Sequence, residues 1–585
     1  GFHAGQLDAS KWALSARGFN DVFANKLLVL MDGRSVYTNT FSGVFWEVQD
    51  ALFEDIERIE AVRGPGSTTW GTNAVNGVIN VVSRSARDTQ GGLLSAGGGL
   101  EERASAAFRY GGRLGSRSWY RVWGKGLRRD SFVDADGGDA GDAWWVGRLG
   151  GRADWQPDRG PDLTVEAEAY DGEVDQRMGV VTSLEPPYAL VRRTSAPLSG
   201  GHLLGRVTRI AAGGGELEVQ AYFDRLERRD PVLGGIIHTA DIDLQHRLAG
   251  WGRHTVMWGV GYRRVADRYD TTLTVALEPA SATSHLLGAF IQDEIRLTSE
   301  SLRLTAGTKV EHNDYTGYEL QPSLRMMWHP HDRHVVWAAV ARAVRLPNRT
   351  EVGERVVAAV LPGDGVRPPT IVAVVGNPAY ASEKVISADA GWRRQLGDRA
   401  TIDVAAYRAW YDDLRTSEPE FPTLDPAFPG YLVIPVRARN LQRGTTAGLE
   451  VAVDWRLLPR WRLVAAATLQ RMDMELKAGS TDAVAATFAR ENPRRLLTLR
   501  SSWDPAPGIA LDLVGRYCGD LPALAVDWYY TLDARLAWQP RSGLEVSVAG
   551  RNLIDTPRLE YARQNVIVVP SRLQTSLRGD LTWRF

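Results

Sequence analysis

His329, His331 and His334 stand at H-x-H-x-x-H spacing, a set able to chelate a transition metal. They lie in WHPHDRHVVW, however, where Pro330 and Asp332 mark a turn between two strands and no acidic partner is evident. A solvated turn is the expected role, and no metal site is assigned. Gly66 to Gly71 has the outline of a phosphate loop, but Thr72 and Asn73 follow where Lys and Ser/Thr are needed. No Ser/His/Asp set or nucleophile elbow stands out, and the carboxylates are too dispersed to nominate a glycosidase pair. Cys518 is the only cysteine, which excludes an intramolecular disulfide and a Cys-rich zinc site. The expectation is a protein that is not an enzyme and carries no cofactor.

The chain has 585 residues, with 69 Lys plus Arg against 70 Asp plus Glu. That balance argues against nucleic acid as a partner, which needs a basic surface. No run approaches the ~18 apolar residues of a membrane helix. A transmembrane β-barrel remains open, because it alternates lipid-facing and lumen-facing residues. The 20 Trp and 59 Gly fit one, since Trp favours bilayer interfaces, but soluble all-β proteins are also Trp-rich.

The texture changes near residue 90. Residues 1–90 read as a small α+β unit. KLLVLM (26–31), an Asp32-Gly33 turn and Val36-Tyr37 form a hairpin signal. Asp55–Val62 and Gly77–Ser83 read as strands, with a short helix between Ser67 and Asn76 capped by Ser67. Residues 91–585 read as segments of about ten alternating residues separated by Gly, Pro, Asp and Asn. Leu577, Leu581, Trp583 and Phe585 oppose Arg578, Asp580 and Arg584; Leu217, Val219 and Phe223 oppose Glu218, Gln220 and Asp224; Leu449, Val451 and Trp455 oppose Glu450 and Asp454. Periodicity alone cannot separate a sandwich from a barrel. Length favours the barrel: at about 22 residues per strand and connection, the region supplies about 22 strands, the size of plugged outer-membrane transporters.

IERIEAVRGPGSTTWGTNAVNGVINVVSR, Ile56 to Arg84, resembles the plug signature of TonB-dependent outer-membrane receptors. Arg17-Gly18-Phe19 resembles the family's arginine-glycine box, LLVLMDGRSVY its strand–DG–strand element, and ARAVRLP (341–347) and GNPAYASEK (376–384) its barrel elements. The final strand, with Trp583 and the terminal Phe585, resembles the signal read by the barrel assembly machinery. The resemblance implies an all-β transmembrane barrel of about 22 antiparallel strands (91–585) holding an α+β plug (1–90) in its lumen, in the outer membrane of a Gram-negative cell.

It also implies roles for particular residues. Arg17, Glu57, Glu60 and Arg63 would be charges between plug and lumen, with Gly18, Gly64, Gly71 and Gly77 shaping the plug; holding the plug's own fold is the simpler alternative. In the family, apical plug loops make the ligand pocket. The matching loop, Thr38 to Trp46, carries Phe41, Phe45 and Trp46, which suit a flat or apolar ligand, with Arg34 and Tyr37 beside it. Thr68 and Trp70 form the second candidate. Packing of the plug core is the competing role for these aromatics. Ferric siderophores are the family's commonest cargo. Residues 341–384 contain no histidine, which weakens haem, while cobalamin and oligosaccharides stay open. Implied partners are the TonB–ExbB–ExbD energising complex, a small iron chelate and outer-membrane lipid, with the receptor a monomer. About 14 residues precede the arginine-glycine box, and none resembles the segment that pairs with TonB; N-terminal truncation is expected. A passive porin-like channel and a soluble all-β carbohydrate-binding protein are the alternatives of other classes.

Overall fold

The computed structural model describes residues 1–23, 25–211, 213–298, 301–364, 366–554, 556–562 and 567–585, with the backbone alone at position 67. The cap expected of Ser67 therefore rests on a side chain outside the described residues.

Twenty-two long antiparallel strands run from Gly91–Gly99 to Ser576–Arg584, and the last pairs with the first from Arg584↔Leu93 to Arg578↔Gly99. Closure removes every sheet edge, which a spanning sheet requires because lipid cannot satisfy backbone groups. The alternation decides which face is which. Leu499 and Leu536 are each 54% exposed on the outer surface, whereas Glu450 is 2% exposed inside. Apolar residues outside and charges inside are the reverse of a soluble sandwich, and they suit a hydrocarbon surround.

Connections at one end are short, as at 116–117, 332–333, 459–460, 507–508 and 542–543; those at the other include 346–382 and 552–575. Short turns mark the periplasmic end. Trp155, Trp258, Trp455, Trp503, Trp538 and Trp583 all lie exposed or half-exposed near that end, forming an interfacial belt that explains much of the tryptophan excess. Phe585 closes the barrel there, its amide donating to Gly92 at 3.0 Å and its ring 4.6 Å from Trp583. His331 pairs with His334 across the short turn, and His334 Nδ1 accepts from Trp392 Nε1. Among the described residues no group of three or more His, Cys, Asp or Glu is placed to hold a metal.

The plug begins with a hairpin of β1 (Phe2–Gln6) and β2 (Trp12–Ala16), which the sequence reading leaves unassigned. Its four-stranded sheet has the order β4–β3–β6–β5, from β3 (Leu27–Met31), β4 (Arg34–Ser35), β5 (Ile56–Arg63) and β6 (Gly77–Ser83), with α1 (Ser67–Trp70) between β5 and β6. Asp32 and Gly33 turn β3 into β4 with φ of 50° and 82°, the left-handed pair that a tight hairpin needs. The barrel's first strand starts at Gly91.

The extracellular mouth is roofed. Plug residues Leu7, Ala13 and Val22 cluster with Val232, Val275, Leu521, Val526, Tyr561 and Val568 from the long connections. The β1–β2 tip is tied to the same connections: Ala9 donates to Asp142 and accepts from Trp144 Nε1, and Ser571 donates to Leu7. A further short helix, α2 (Arg349–Gly353), lies in the longest connection behind a capping box of Asn348 and Glu351.

Candidate functional site between plug and barrel wall

Arg17, Gly18 and Phe19 are three consecutive residues with positive φ, 56°, 97° and 59°. Non-glycine residues hold such conformations only where the surroundings fix them. Here Arg17 reaches the wall: Nη1 lies 2.5 Å from Asp389 Oδ1, Nη2 3.6 Å from Glu450 Oε2, and the guanidinium stands 4.1 Å from the Tyr407 ring centroid. Arg63 approaches the same Glu450 at 3.0 Å. Lys26 donates to Glu383 at 2.5 Å. These plug–wall pairs are dry, apart from the partly exposed Arg63.

Glu57 and Glu60 behave differently. Both lie on β5 and pair with Arg58 of the same strand, and Glu60 also accepts from Asn80 of β6. Gly64 and Gly71 take φ of 82° and 85°; a Cβ at Gly71 would lie 2.6 Å from Glu311 Oε1. Gly77 pairs with Arg63 across β5–β6, and Gly18 lies against Met472. Asp389 and Glu450 are the partners that sequence reasoning misses. Alternation places Glu450 on the lumen face, but nothing in the sequence says which plug residue meets it. Glu383 lies within the family-like GNPAYASEK.

The candidate ligand residues divide. Trp46 packs against the plug core of Leu27, Val29 and Val44; Tyr37 and Trp70 pack against Leu28, Leu30 and Val78. Phe41 sits between Phe23 and Phe45. Thr68 is buried against the wall, with Ser323 Oγ at 2.6 Å. Arg34 reaches the wall at Asp224, 2.6 Å away. The 38–40 loop is apical but covered, since Arg349 and Thr350 of α2 donate to Asn39 and Thr40.

Two cavities separate plug and wall. The upper, of about 130 Å³, is lined by Arg34, Tyr37 and Phe45 of the plug and by Tyr170, Tyr222 and Tyr315 of the barrel. The lower, of about 340 Å³, includes Trp70. Phe41, Trp46 and Thr68 line neither. The three barrel tyrosines were not foreseen; period-2 alternation marks the inward face of Tyr170 and Tyr222 but not their neighbourhood.

The β1–β2 hairpin also carries a titratable group against the roof. His3 is buried, with Nδ1 3.1 Å from Asn20 Oδ1 and Nε2 3.4 Å from Cys518 Sγ. Burial pushes its pKa down to about 4. A histidine held neutral contributes stability that is fully present above about 6.5 and is lost as pH falls towards 4, about 3 kcal/mol in all. Nearby Glu560 is shifted upward by burial, so its protonation in acid works in the opposite direction. We expect the urea midpoint of the plug to fall between pH 6.5 and 4.5 by more in the wild type than in His3→Asn. Equal falls in the two proteins would assign the acid sensitivity to carboxylates instead.

A closed 22-strand barrel with a plug in its lumen and a roofed cavity between plug and wall is the architecture of a plugged outer-membrane receptor. The family models agree: TonB-dependent receptor plug domain matches residues 1–78, and TonB dependent receptor-like β-barrel matches residues 69–553. The chain belongs to the TonB-dependent receptors of the outer membrane, proteins that take a small-molecule ligand and are energised through TonB. It is similar to the siderophore receptor PirA from Acinetobacter baumannii (TM-score 0.77, 14% identity, 100% of this chain and 94% of that one). It is likewise similar to the FrpB iron transporter from Neisseria meningitidis (TM-score 0.76, 14% identity, 100% and 94%). Among curated relatives, the iron-regulated outer membrane virulence protein of Vibrio cholerae O395 is 22% identical over 353 residues, 58% of this chain and 52% of that protein. The vitamin B12 transporter BtuB of Vibrio vulnificus is 34% identical over 92 residues, 16% of this chain and 14% of that protein. The matches thus span about half the length of these curated relatives or less.

Proposed function

We propose that this receptor takes up a ferric siderophore. The observation that carries the reading is the lining of the upper cavity, where Tyr37, Phe45, Tyr170, Tyr222 and Tyr315 surround Arg34. Aromatic faces with a guanidinium suit a flat, anionic chelate that wraps its own iron and needs no protein ligand to the metal. The iron-related names of the Vibrio cholerae, Acinetobacter and Neisseria relatives support it. A cavity of about 130 Å³ is too small for such a cargo, so capture includes movement of the roof. TonB with ExbB and ExbD would supply the work, and the strand ending in Trp583 and Phe585 would be the segment read during assembly; a monomer in lipid is the unit proposed. The match to BtuB favours cobalamin as the second reading.

Tryptophan fluorescence of the detergent-folded protein, titrated with ferric enterobactin, haem and cobalamin, tests this. Saturable binding of the iron chelate is expected, weakened about tenfold or more in Phe45→Ala with Tyr315→Ala. Binding of cobalamin or haem, with none of the iron chelate, would overturn the siderophore assignment and keep the receptor.

A further inference from the structure

On the outside of the barrel, the extracellular edge of the apolar band is not uniform. Trp145 lies ten residues up its strand from Trp155, Tyr318 ten up from Trp328, and Tyr530 eight up from Trp538, all of them exposed. A strand tilted by about 40° climbs about 25 Å in ten residues, the height of the band, so these aromatics mark its upper edge.

On the six neighbouring strands from Glu216–Arg228 to Gly317–His331 the edge turns basic. Tyr262, Leu287, His312 and Tyr318 share one outward rung, and Arg264 faces His285 on the next. Arg225 pairs with His238 on the rung beyond, and Arg268 follows one rung further up. Phe223, Tyr262, Leu287 and Tyr318 are between 40% and 78% exposed, which fixes this as the lipid-facing side.

The rings of this patch are held in place. The Tyr262 hydroxyl lies 2.8 Å from His285 Nδ1, His238 stacks on Phe223 with centroids 5.9 Å apart, and His312 stands 4.7 Å from Tyr318. Two carboxylates at its rim are engaged: Glu227 by Arg225 and Arg229, and Asp314 by the His285 amide. Arg264 and Arg268 are exposed, and among the described residues neither has a hydrogen bond or ion pair. Elsewhere on the same face exposed arginines come with an acid, as Arg443 does with Glu475 and Arg471 with Asp473. A lipid-facing arginine is costly at mid-bilayer and inexpensive only at the boundary, where a headgroup can meet it. The anion missing beside Arg264 and Arg268 is therefore one that the membrane supplies.

We propose that this patch binds a phosphorylated glycolipid of the outer leaflet, with Arg264 and Arg268 on its phosphates and His285, His312 and Tyr318 against its sugars. The guanidinium fork matches phosphate, and two arginines about 13 Å apart along one strand suit a headgroup with a phosphate at each end. The inference rests on the placement in the outer membrane and not on the siderophore assignment.

Native mass spectrometry of the full chain in detergent, titrated with diphosphorylated lipid A, tests it. Wild type should retain the lipid. Arg264→Ala with Arg268→Ala should weaken retention about thirtyfold, or about fivefold for each arginine. Lipid A with one phosphate should bind the wild type about fivefold more weakly. Arg443→Ala with Arg471→Ala removes the same number of cations from the outer face on other strands and should leave retention unchanged. A heat-modifiability gel shows that each variant carries a folded barrel. No retention by the wild type, no weakening in the first double variant, or equal weakening in the two overturns the site. Displacement by millimolar inorganic phosphate would also overturn it, by making the patch a free-anion site. None of these results touches the siderophore titration, so the two readings fail separately.

Discussion

Arg345→Met is expected to lower the urea midpoint of the detergent-folded protein by the equivalent of about 3–5 kcal/mol, the cost of leaving a buried carboxylate unpaired. Arg345 is 0% exposed. Its guanidinium holds both oxygens of Glu351, at 2.6 and 2.8 Å, and Glu383 at 2.9 Å, while the Tyr380 hydroxyl donates to Glu383 at 3.1 Å. Glu351 also completes the capping box of α2, and Glu383 receives Lys26 from the plug. One cation therefore joins the longest connection, the barrel wall and, through Glu383, the plug. Arg345→Lys should recover little, because an ammonium cannot serve two carboxylates in fork geometry. Adding Glu351→Gln to Arg345→Met should restore a substantial part by removing one stranded charge. A midpoint within about 0.5 kcal/mol of wild type would mean that the network is not formed in the folded protein.

The second large effect concerns the seat of the plug. Arg17→Ala leaves Asp389 without its 2.5 Å partner and removes one of the cations that face Glu450. We expect about 3 kcal/mol of lost seating stability, read as plug cleavage by added trypsin at urea concentrations where the wild-type plug resists while the barrel stays intact on a heat-modifiability gel. Arg17→Ala and Glu450→Ala should be non-additive, since each removes part of the same contact. Additive effects would mean that the pair does not couple. The left-handed backbone at Arg17–Phe19 works the other way: strain released when the Arg17 contact is lost offsets part of that cost.

The barrel was legible because its pattern is set by the solvent. Every strand must show hydrocarbon-compatible residues outward and tolerate polar ones inward, and a period of two records that along hundreds of residues. The plug's β3–β4 hairpin and β6 were legible from Asp32-Gly33 and GVINVVS, because tight turns and short buried strands accept few residue types. The β1–β2 hairpin was not, since FHAGQ and WALSA carry no turn signal of their own and owe their burial to loops hundreds of residues away.

The candidate site divides along the same line. The residue types on the plug were readable: Arg17 and Arg63 as charges in a lumen, and Arg34 with aromatics on a loop. Sequence also ordered the lumen-facing side chains of each strand, Glu450 and Tyr222 among them. Only the tertiary structure decided which met which. Trp46 went into the plug core, Tyr37 and Phe45 to the cavity, Arg34 to Asp224 and Arg17 to Asp389. Those outcomes depend on the rotation and depth of the plug within a closed ring of strands, and no local pattern encodes the register between two surfaces separated by 190 or 372 residues of chain.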